Sequence, residues 1–216
     1  MKFEAVLFDL DGTLLDTLED LATSVNAVLR RYDYPEYSTE QYCYMVGDGI
    51  EVLVRKSLPE EKCQQEHVKE IVNLVQEEYR NCWKDTTCPY PGVNELLNGL
   101  EDKNIPKAIL SNKPYEFTVL TVETLLPHWK FAVIEGVREG VIRKPDPSGA
   151  LAIAEQLRIE PAKFVYLGDT STDMQTAVAA GMYPVGALWG FRSAQELKEN
   201  GAEILVESPV DVLSLF

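Results

Sequence analysis

Two aspartates near the start of the chain, Asp9 and Asp11, directly follow the apolar run Ala5–Phe8. A short apolar run of this kind predicts a buried strand, and residues two apart on a strand project to the same side. We therefore expect both carboxylates to emerge together at the carboxyl end of a strand, where open α/β sheets bind their ligands. Two such acids repel each other unless a cation lies between them or one holds a proton. Either arrangement suits phosphate chemistry.

The two residues that follow extend this motif. Gly12 permits a tight turn and a close approach of the backbone to an anion, and Thr13 offers a hydroxyl and an N–H group. An acidic turn after a strand is also a common structural feature, so this motif alone leaves both readings open.

A second group of polar residues, Ser111, Asn112 and Lys113, stands at the end of the predicted strand 108–110. The Ser111 hydroxyl can donate to a phosphate oxygen, and Asn112 can position a substrate or a nucleophile. The same residues also fit an ordinary helix N-cap ahead of Pro114, although a helix start is itself an anion site.

Two more segments carry chemistry late in the chain. Lys144, followed by a proline and lying ahead of a predicted helix, can hold a point charge against a phosphoryl group; a solvated basic turn is the alternative. Asp169 ends a predicted strand, and Asp173 follows one helical turn later. Oxygen ligands at this spacing suit Mg²⁺, whereas capping by Asp169 or Thr170 is the purely structural interpretation.

The elements that must position these residues alternate between strand and helix. Alternation of this kind implies right-handed crossovers and a parallel sheet. Strands are predicted at residues 5–10, 108–110, 131–135, 164–167, 184–189 and 203–206, and helices at 93–100, 117–126, 148–157, 174–180 and 194–199. The predicted fold class is α/β, a Rossmann-like parallel sheet core with an inserted helical cap domain.

The insertion is predicted because residues 17–85 contain no convincing strand. We assign residues 1–15 and 87–216 to the core and 16–86 to the cap, whose first helix is predicted to open with a cap signal at Thr17 and Asp20. The turn at Gly47, Asp48 and Gly49 is the candidate for a loop that reaches the substrate. Arg55 or the adjacent Lys56 is a candidate partner for a substrate carboxylate, although basic residues on a helix are usually solvated.

Composition limits the classes of partner. The chain has 216 residues and a formal net charge of −15, which argues against nucleic-acid and anionic-membrane partners. Its four cysteines form no Cys-x-x-Cys pair, its two histidines stand in unrelated contexts, and no glycine-rich nucleotide motif occurs. No apolar run is long enough to span a membrane, and the start lacks a signal-peptide layout, so we expect a cytoplasmic protein. The oligomeric state stays open.

Taken together, the four motifs resemble those of the haloacid dehalogenase superfamily of aspartate-dependent phosphatases. That family is marked by Asp-x-Asp-Gly-Thr, a strand-end Ser or Thr, a conserved Lys, and Gly-Asp-x-x-x-Asp. All four stand here in family order, from Asp9 to Asp173. The runs 177–182, 188–191 and 201–203 also resemble the phosphoglycolate phosphatase branch.

This resemblance implies a mechanism. Asp9 would attack a phosphomonoester to form an aspartyl-phosphate, and Asp11 would serve as acid and then base. Metal contacts are implied for Asp9, for Asp11 through its backbone carbonyl, and for Asp169. Thr170 and Asp173 are implied to lie just outside these ligands and to orient the coordination shell. Phosphate contacts are implied for Thr13, Ser111, Asn112 and Lys144. The implied cofactor is Mg²⁺ and the implied partner is a small-molecule phosphomonoester, with 2-phosphoglycolate as the best single guess.

Several alternatives remain open at this stage. A sugar-phosphate phosphatase or mutase, a nucleotidase or a pyrophosphatase would use the same chemistry, although Thr13 favours hydrolysis over a mutase. Dehalogenase and phosphonatase activities are disfavoured because Asp11 is present. A non-catalytic phospho-ligand binding module on the same fold is the alternative from another class, and it would not need both Asp9 and Asp11.

Overall fold

The computed structural model describes residues 3–216. The chain forms two compact units. The core unit comprises Met1–Leu15 and Pro89–Phe216, and the helical unit comprises Asp16–Cys88.

The core unit is built on a six-stranded parallel sheet, which confirms the predicted fold class. Its strands are β1 (Ala5–Phe8), β4 (Lys107–Pro114), β5 (Val133–Val137), β6 (Phe164–Gly168), β7 (Tyr183–Ala187) and β8 (Ile204–Val206). Their order across the sheet is β5-β4-β1-β6-β7-β8. Two-residue strands, β2 (Leu15–Asp16) and β3 (Cys88–Pro89), form a separate pair where the chain passes between units.

Both faces of the sheet are buried, which is why its strands are almost continuously apolar. Along β1, Val6 and Phe8 enter one hydrophobic cluster whereas Ala5 and Leu7 enter the other. This alternation follows from the two-residue period of a strand. The flanking helices are α5 (Val93–Asp102), α6 (Tyr115–Leu125), α7 (Ser148–Leu157), α8 (Ser171–Ala180) and α9 (Ala194–Glu199). Side chains of α5 and α6 pack in the first cluster, and those of α7 and α8 in the second.

Two strand boundaries differ from the sequence prediction in ways that matter for the site. The first strand ends at Phe8 rather than at residue 10, because the Leu10 carbonyl accepts hydrogen bonds from the backbone N–H groups of Thr13, Leu14 and Leu15. Conversely, β4 continues through Pro114, with a register shift between Leu110 and Pro114 against β5. Its polar end is therefore extended backbone and not a helix cap.

The helical unit contains α1 (Leu18–Arg31), α2 (Thr39–Tyr42), α3 (Ile50–Ser57) and α4 (Gln65–Cys82). Helices α1 and α4 pack through one apolar face each, with Val25, Val28, Val68 and Val75 buried. Ser38 caps α2 and forms a capping box with Gln41, three positions later.

The predicted cap signal at the start of α1 is wrong. Thr17 occupies the N-cap position but its hydroxyl is buried without a hydrogen-bond partner. The Asp20 carboxylate instead accepts bonds from the backbone N–H and hydroxyl groups of both Thr86 and Thr87, at 2.6–3.2 Å. These bonds lower the pKa of Asp20, although burial alone would raise it. The acid thus ties the first turn of α1 to the end of the unit, 66 residues away.

Within residues 3–216, no helix has the length and apolar character needed to cross a membrane.

Candidate active site

The polar residues singled out from the sequence of the core unit gather at the carboxyl ends of three adjacent strands. Strands β4, β1 and β6 are neighbours and parallel, so their carboxyl ends lie at one edge of the sheet. Asp9 follows β1, Ser111 lies in the last part of β4, and Asp169 follows β6. Lys144 comes from the loop between β5 and α7, and Asp173 from the first turn of α8.

Three carboxylates form the centre of this edge. Asp9, Asp169 and Asp173 each present an oxygen within 4.8 Å of the others, and all three are buried. Burial and then repulsion by Asp173 raise the pKa of Asp169 to about 7. The same two causes, in the same order, hold the pKa of Asp9 well above its usual range. Burial and mutual repulsion therefore both disfavour the fully ionised form of the cluster.

Lys144 supplies the cation of this cluster. Its Nζ lies 2.8 Å from Asp9 Oδ1 and 2.6 Å from Asp173 Oδ1, and its side chain is only 2% exposed. Burial alone would lower the pKa of Lys144, but the carboxylates of Asp173 and Asp9 hold it well above its ordinary value. An ammonium fixed between two acids is positioned to meet further negative charge at the same place.

Neighbouring residues orient the members of the cluster. The Asn112 side chain donates to the Lys144 carbonyl oxygen and accepts from the Lys144 N–H group, at 3.1 and 2.9 Å. Thr170 caps α8, where its backbone N–H and hydroxyl groups both donate to Asp173 Oδ2. These contacts leave little freedom for Lys144 or Asp173 to turn away from Asp9.

Asp169 is held on both of its oxygens. The Thr13 hydroxyl donates to Oδ1 and the Phe191 N–H group donates to Oδ2, each at 2.8 Å. Gly12, with φ +89°, and Gly190 approach this carboxylate so closely that a Cβ atom at either position would collide with it. The backbone after β1 and the loop after β7 therefore have room for Asp169 only because both residues are glycines.

The two motif aspartates have different partners, although their spacing led us to expect the two carboxylates together. The Asp11 carboxylate is not part of the three-acid cluster; Lys113 Nζ lies 3.0 and 3.3 Å from its two oxygens. The expectation assumed that Asp9 and Asp11 both lie on a strand, but the strand ends at Phe8 and the chain then enters a turn. Ser111 lies beside this ion pair, and its hydroxyl accepts a bond from the Lys113 N–H group at 3.2 Å.

The cluster meets the chemical requirements of a divalent metal site. It offers hard carboxylate oxygens from three acids, and Lys144 forms ion pairs with two of them, Asp9 and Asp173. Few-carboxylate sites of this type suit Mg²⁺. Asp9, Asp169 and Asp173 are the side chains that could hold such an ion.

The candidate specificity residues of the sequence lie in the helical unit. Gly49, with φ +93°, is the N-cap residue of α3, and Arg55 lies on that helix. The Arg55 guanidinium pairs with Glu51 at 3.0 Å and donates to the Cys63 carbonyl oxygen. Substrate contacts for Gly47, Asp48, Gly49 and Arg55 stay predictions.

Sequence reasoning assigned no role to three residues that shape the site. Lys113 pairs with Asp11, the backbone of Phe191 holds Asp169, and the Trp189 indole N–H donates to the Thr13 carbonyl oxygen at 2.9 Å. A lysine directly after a polar strand end was the available signal for Lys113. The other two contacts join positions more than 20 residues apart, with no local sequence pattern to indicate them.

Comparison with known proteins agrees with this geometry. The family model for haloacid dehalogenase-like hydrolases matches residues 6–187. A phosphoglycolate phosphatase of Nitrosospira multiformis is 31% identical over 220 residues, which cover 100% of this chain and 96% of that protein. A phosphoglycolate phosphatase of Escherichia coli K12 is 29% identical over 234 residues, with coverage of 98% and 93%. A solved structure from Lactobacillus delbrueckii subsp. bulgaricus, provisionally named a phosphoglycolate phosphatase, superposes with a TM-score of 0.93 at 29% identity, covering 99% and 98% of the two chains.

Proposed function

This chain belongs to the haloacid dehalogenase-like hydrolase family, and from that premise we propose that it is a Mg²⁺-dependent phosphatase of 2-phosphoglycolate. The observation that carries the proposal is the Lys144 ammonium held between the buried Asp9 and Asp173 carboxylates, next to Asp169. Such a site brings a nucleophile, a fixed positive charge and metal-binding oxygens to one point.

Asp9 acts as the nucleophile in this proposal. One of its carboxylate oxygens attacks phosphorus, the bond from phosphorus to the alcohol oxygen breaks, and an aspartyl-phosphate forms. Water then attacks the same phosphorus, the bond to Asp9 breaks, and inorganic phosphate leaves. One difficult displacement is thereby divided into two easier ones.

Asp11 moves the protons of both steps. It donates a proton to the departing alcohol oxygen and later accepts one from the attacking water. General acid–base help of this kind contributes roughly 10²- to 10⁴-fold. The separation of Asp11 from the three-acid cluster supports this division of labour, because its carboxylate is engaged by Lys113 and not by Lys144.

Lys144 and Ser111 contact the oxygens of the transferring phosphoryl group. Preorganised charge aimed at the group that moves is usually the largest contribution to catalysis. Thr13 and Asn112, for which phosphate contacts were predicted, use their side chains on Asp169 and on the Lys144 backbone. We assign both a positioning role.

Asp9, Asp169 and Asp173 would hold the Mg²⁺ ion, with the Asp11 backbone carbonyl as the further contact that the family resemblance implies. A bound Mg²⁺ would neutralise the excess charge of these acids and polarise the phosphoryl oxygens.

The choice of 2-phosphoglycolate depends on the relatives. Two proteins named phosphoglycolate phosphatase match this chain over almost its whole length. A small ester with a carboxylate on its alcohol half is therefore the first substrate to test.

The test is phosphate release from a panel of phosphomonoesters by the full chain, with Mg²⁺ or with EDTA. We expect turnover only with Mg²⁺, the highest kcat/KM for 2-phosphoglycolate, and no turnover by Asp9→Asn. Asp102→Asn, an exposed acid at the end of α5, is the matched control and should retain activity. Release from no ester would overturn the proposal, and turnover without preference for 2-phosphoglycolate would overturn the substrate assignment alone.

A further inference from the structure

We propose that Lys113 binds a carboxylate on the alcohol half of the substrate, so that the site selects phosphomonoesters of hydroxy acids. The proposal rests on the proposed function and names the residue that would recognise the leaving group.

Lys113 is held next to Asp11. Its Nζ lies 3.0 and 3.3 Å from the two oxygens of Asp11, and its side chain is only 4% exposed. Lys113 is in the last part of β4, where its N–H group bonds the Ser111 hydroxyl. The ammonium is therefore held at the strand end and not carried on a mobile surface side chain.

Lys113 and Lys144 serve different parts of the site. Lys144 lies between Asp9, the attacking group, and Asp173, so its charge faces the phosphoryl group that is transferred. Lys113 pairs with Asp11, the group that must reach the oxygen of the departing alcohol. A cation beside Asp11 consequently lies on the leaving-group side of the ester.

The charge of the substrate requires a cation at that side. Once Asp11 has given its proton to the departing alcohol oxygen it is a carboxylate, and the carboxylate of a hydroxy acid then lies next to it in a chain whose formal net charge is −15. Two such groups repel each other. A lysine ammonium carries three N–H donors, so Lys113 can donate to Asp11 and to a substrate carboxylate. The ammonium of Lys113 would lie between the two carboxylates and offset their repulsion.

Other basic side chains considered for this role are also paired. In the helical unit, Arg55 pairs with Glu51 and Lys56 pairs with Asp48, each at 3.0 Å. In the core unit, Arg192 pairs with Glu196 at 3.2 Å. None of these carboxylate partners has a role in the proposed chemistry, whereas the partner of Lys113 is the proposed acid.

The test compares two esters that differ only in charge, 2-phosphoglycolate and its neutral amide, 2-phosphoglycolamide. A charge-assisted hydrogen bond corresponds to about 10- to 100-fold in a rate or binding ratio. We expect wild type to favour the carboxylate ester in kcat/KM by that factor and Lys113→Met to lower the ratio towards one. Lys113→Arg should keep most of the preference, and Lys103→Met, which removes an exposed lysine after α5, should leave the ratio unchanged.

A second measurement needs no variant at this position. Glycolate should inhibit wild type competitively and more strongly than glycolamide does, because only glycolate carries the charge that Lys113 would bind. This comparison keeps the proposal testable if Lys113→Met does not fold.

Three results would overturn the proposal. One is an equal loss on both esters in Lys113→Met with the ratio preserved, since Lys113 would then serve only to position Asp11. Another is the absence of any preference for the carboxylate ester or for glycolate in wild type. Failure of wild type to release phosphate from any ester with Mg²⁺ would overturn the proposed function and this inference with it.

Discussion

The Lys144 ammonium lies 2.8 Å from Asp9 Oδ1, although 135 residues separate the two in the sequence. Both side chains are buried, so water cannot solvate either charge. The contact exists because β1 brings Asp9 to the sheet edge where the loop before α7 ends, and because Asn112 bonds the backbone of Lys144. Under the proposed function, stability and catalysis thus depend on the same ion pair.

Lys144→Met should destabilise the fold as well as abolish turnover. Removing one partner of a buried ion pair leaves uncompensated charge, which typically costs about 3–5 kcal/mol. Urea unfolding of the metal-free protein measures the loss of free energy of unfolding. Lys163→Met removes an exposed pair with Glu4 and should change stability little. Equal effects of the two substitutions would contradict the buried role of Lys144.

Asp11→Asn should lose turnover by roughly 10²- to 10⁴-fold, the usual contribution of an acid–base group. The affinity for Mg²⁺ should be largely retained, because the carboxylate of Asp11 pairs with Lys113 and is outside the three-acid cluster. Steady-state kinetics measures the loss of turnover, and calorimetric titration measures the affinity for Mg²⁺. Asp169→Asn is the contrasting variant and should lose metal affinity; a large loss of affinity in Asp11→Asn would be incompatible with the assigned role.

The stability of the metal-free protein should fall as pH rises. Burial and repulsion from Asp173 raise the pKa of Asp169 to about 7, whereas an aspartate in an unfolded chain has a pKa of about 4. Between these values the folded state binds more protons than the unfolded chain, so the free energy of unfolding decreases with increasing pH. The contribution of Asp169 to stability is fully present below its unfolded pKa and is lost as pH rises through about 7.

Added Mg²⁺ should reverse this loss. The increase in Tm on adding Mg²⁺ should be small at pH 5 and largest at pH 8, where the cluster is most negatively charged. Thermal unfolding in EDTA and in Mg²⁺ across this pH range provides the measurement. Increases of the same size at both pH values would show that the acids do not titrate as described.

Thr17→Val should stabilise the protein by about 1 kcal/mol, the lower end of what a buried unpaired polar group costs. The Thr17 hydroxyl is buried without a partner and does not cap α1, so its removal sacrifices no hydrogen bond. Ser38→Ala is the control with opposite sign, because Ser38 does cap α2 and such a loss costs about 0.5–2 kcal/mol. Chemical denaturation of both variants measures the change in the free energy of unfolding. A destabilised Thr17→Val would indicate that the hydroxyl has a hydrogen-bond partner.

Much of the fold could be predicted from the chain alone. Apolar runs that end in polar residues marked β1, β4 and β6 and predicted a parallel sheet, which the structure confirms. Parallel strands deliver their carboxyl ends to one edge, so the motifs at Asp9, Ser111 and Asp169 had to approach one another. Membership of the hydrolase family follows from the same motifs and is confirmed by the match over residues 6–187.

Side-chain pairing could not be predicted in this way. The local pattern aligned Asp11 with Asp9 and made Asp20 a helix-capping residue, yet Asp11 pairs with Lys113, and Asp20 binds Thr86 and Thr87. Each of these contacts joins positions at least 66 residues apart.

The kinds of groups that meet at the sheet edge could be predicted from the chain alone, because strand periodicity and chain direction are local properties. Which cation faces which acid depends instead on long-range packing. Two sets of ion pairs illustrate this: Lys144 with Asp9 and Asp173, and Lys113 with Asp11. Both depend on where the turn after Phe8 and the loop before α7 place the backbone. Ion pairing depends on distances of a few ångströms between remote segments, and packing of the whole sheet sets those distances.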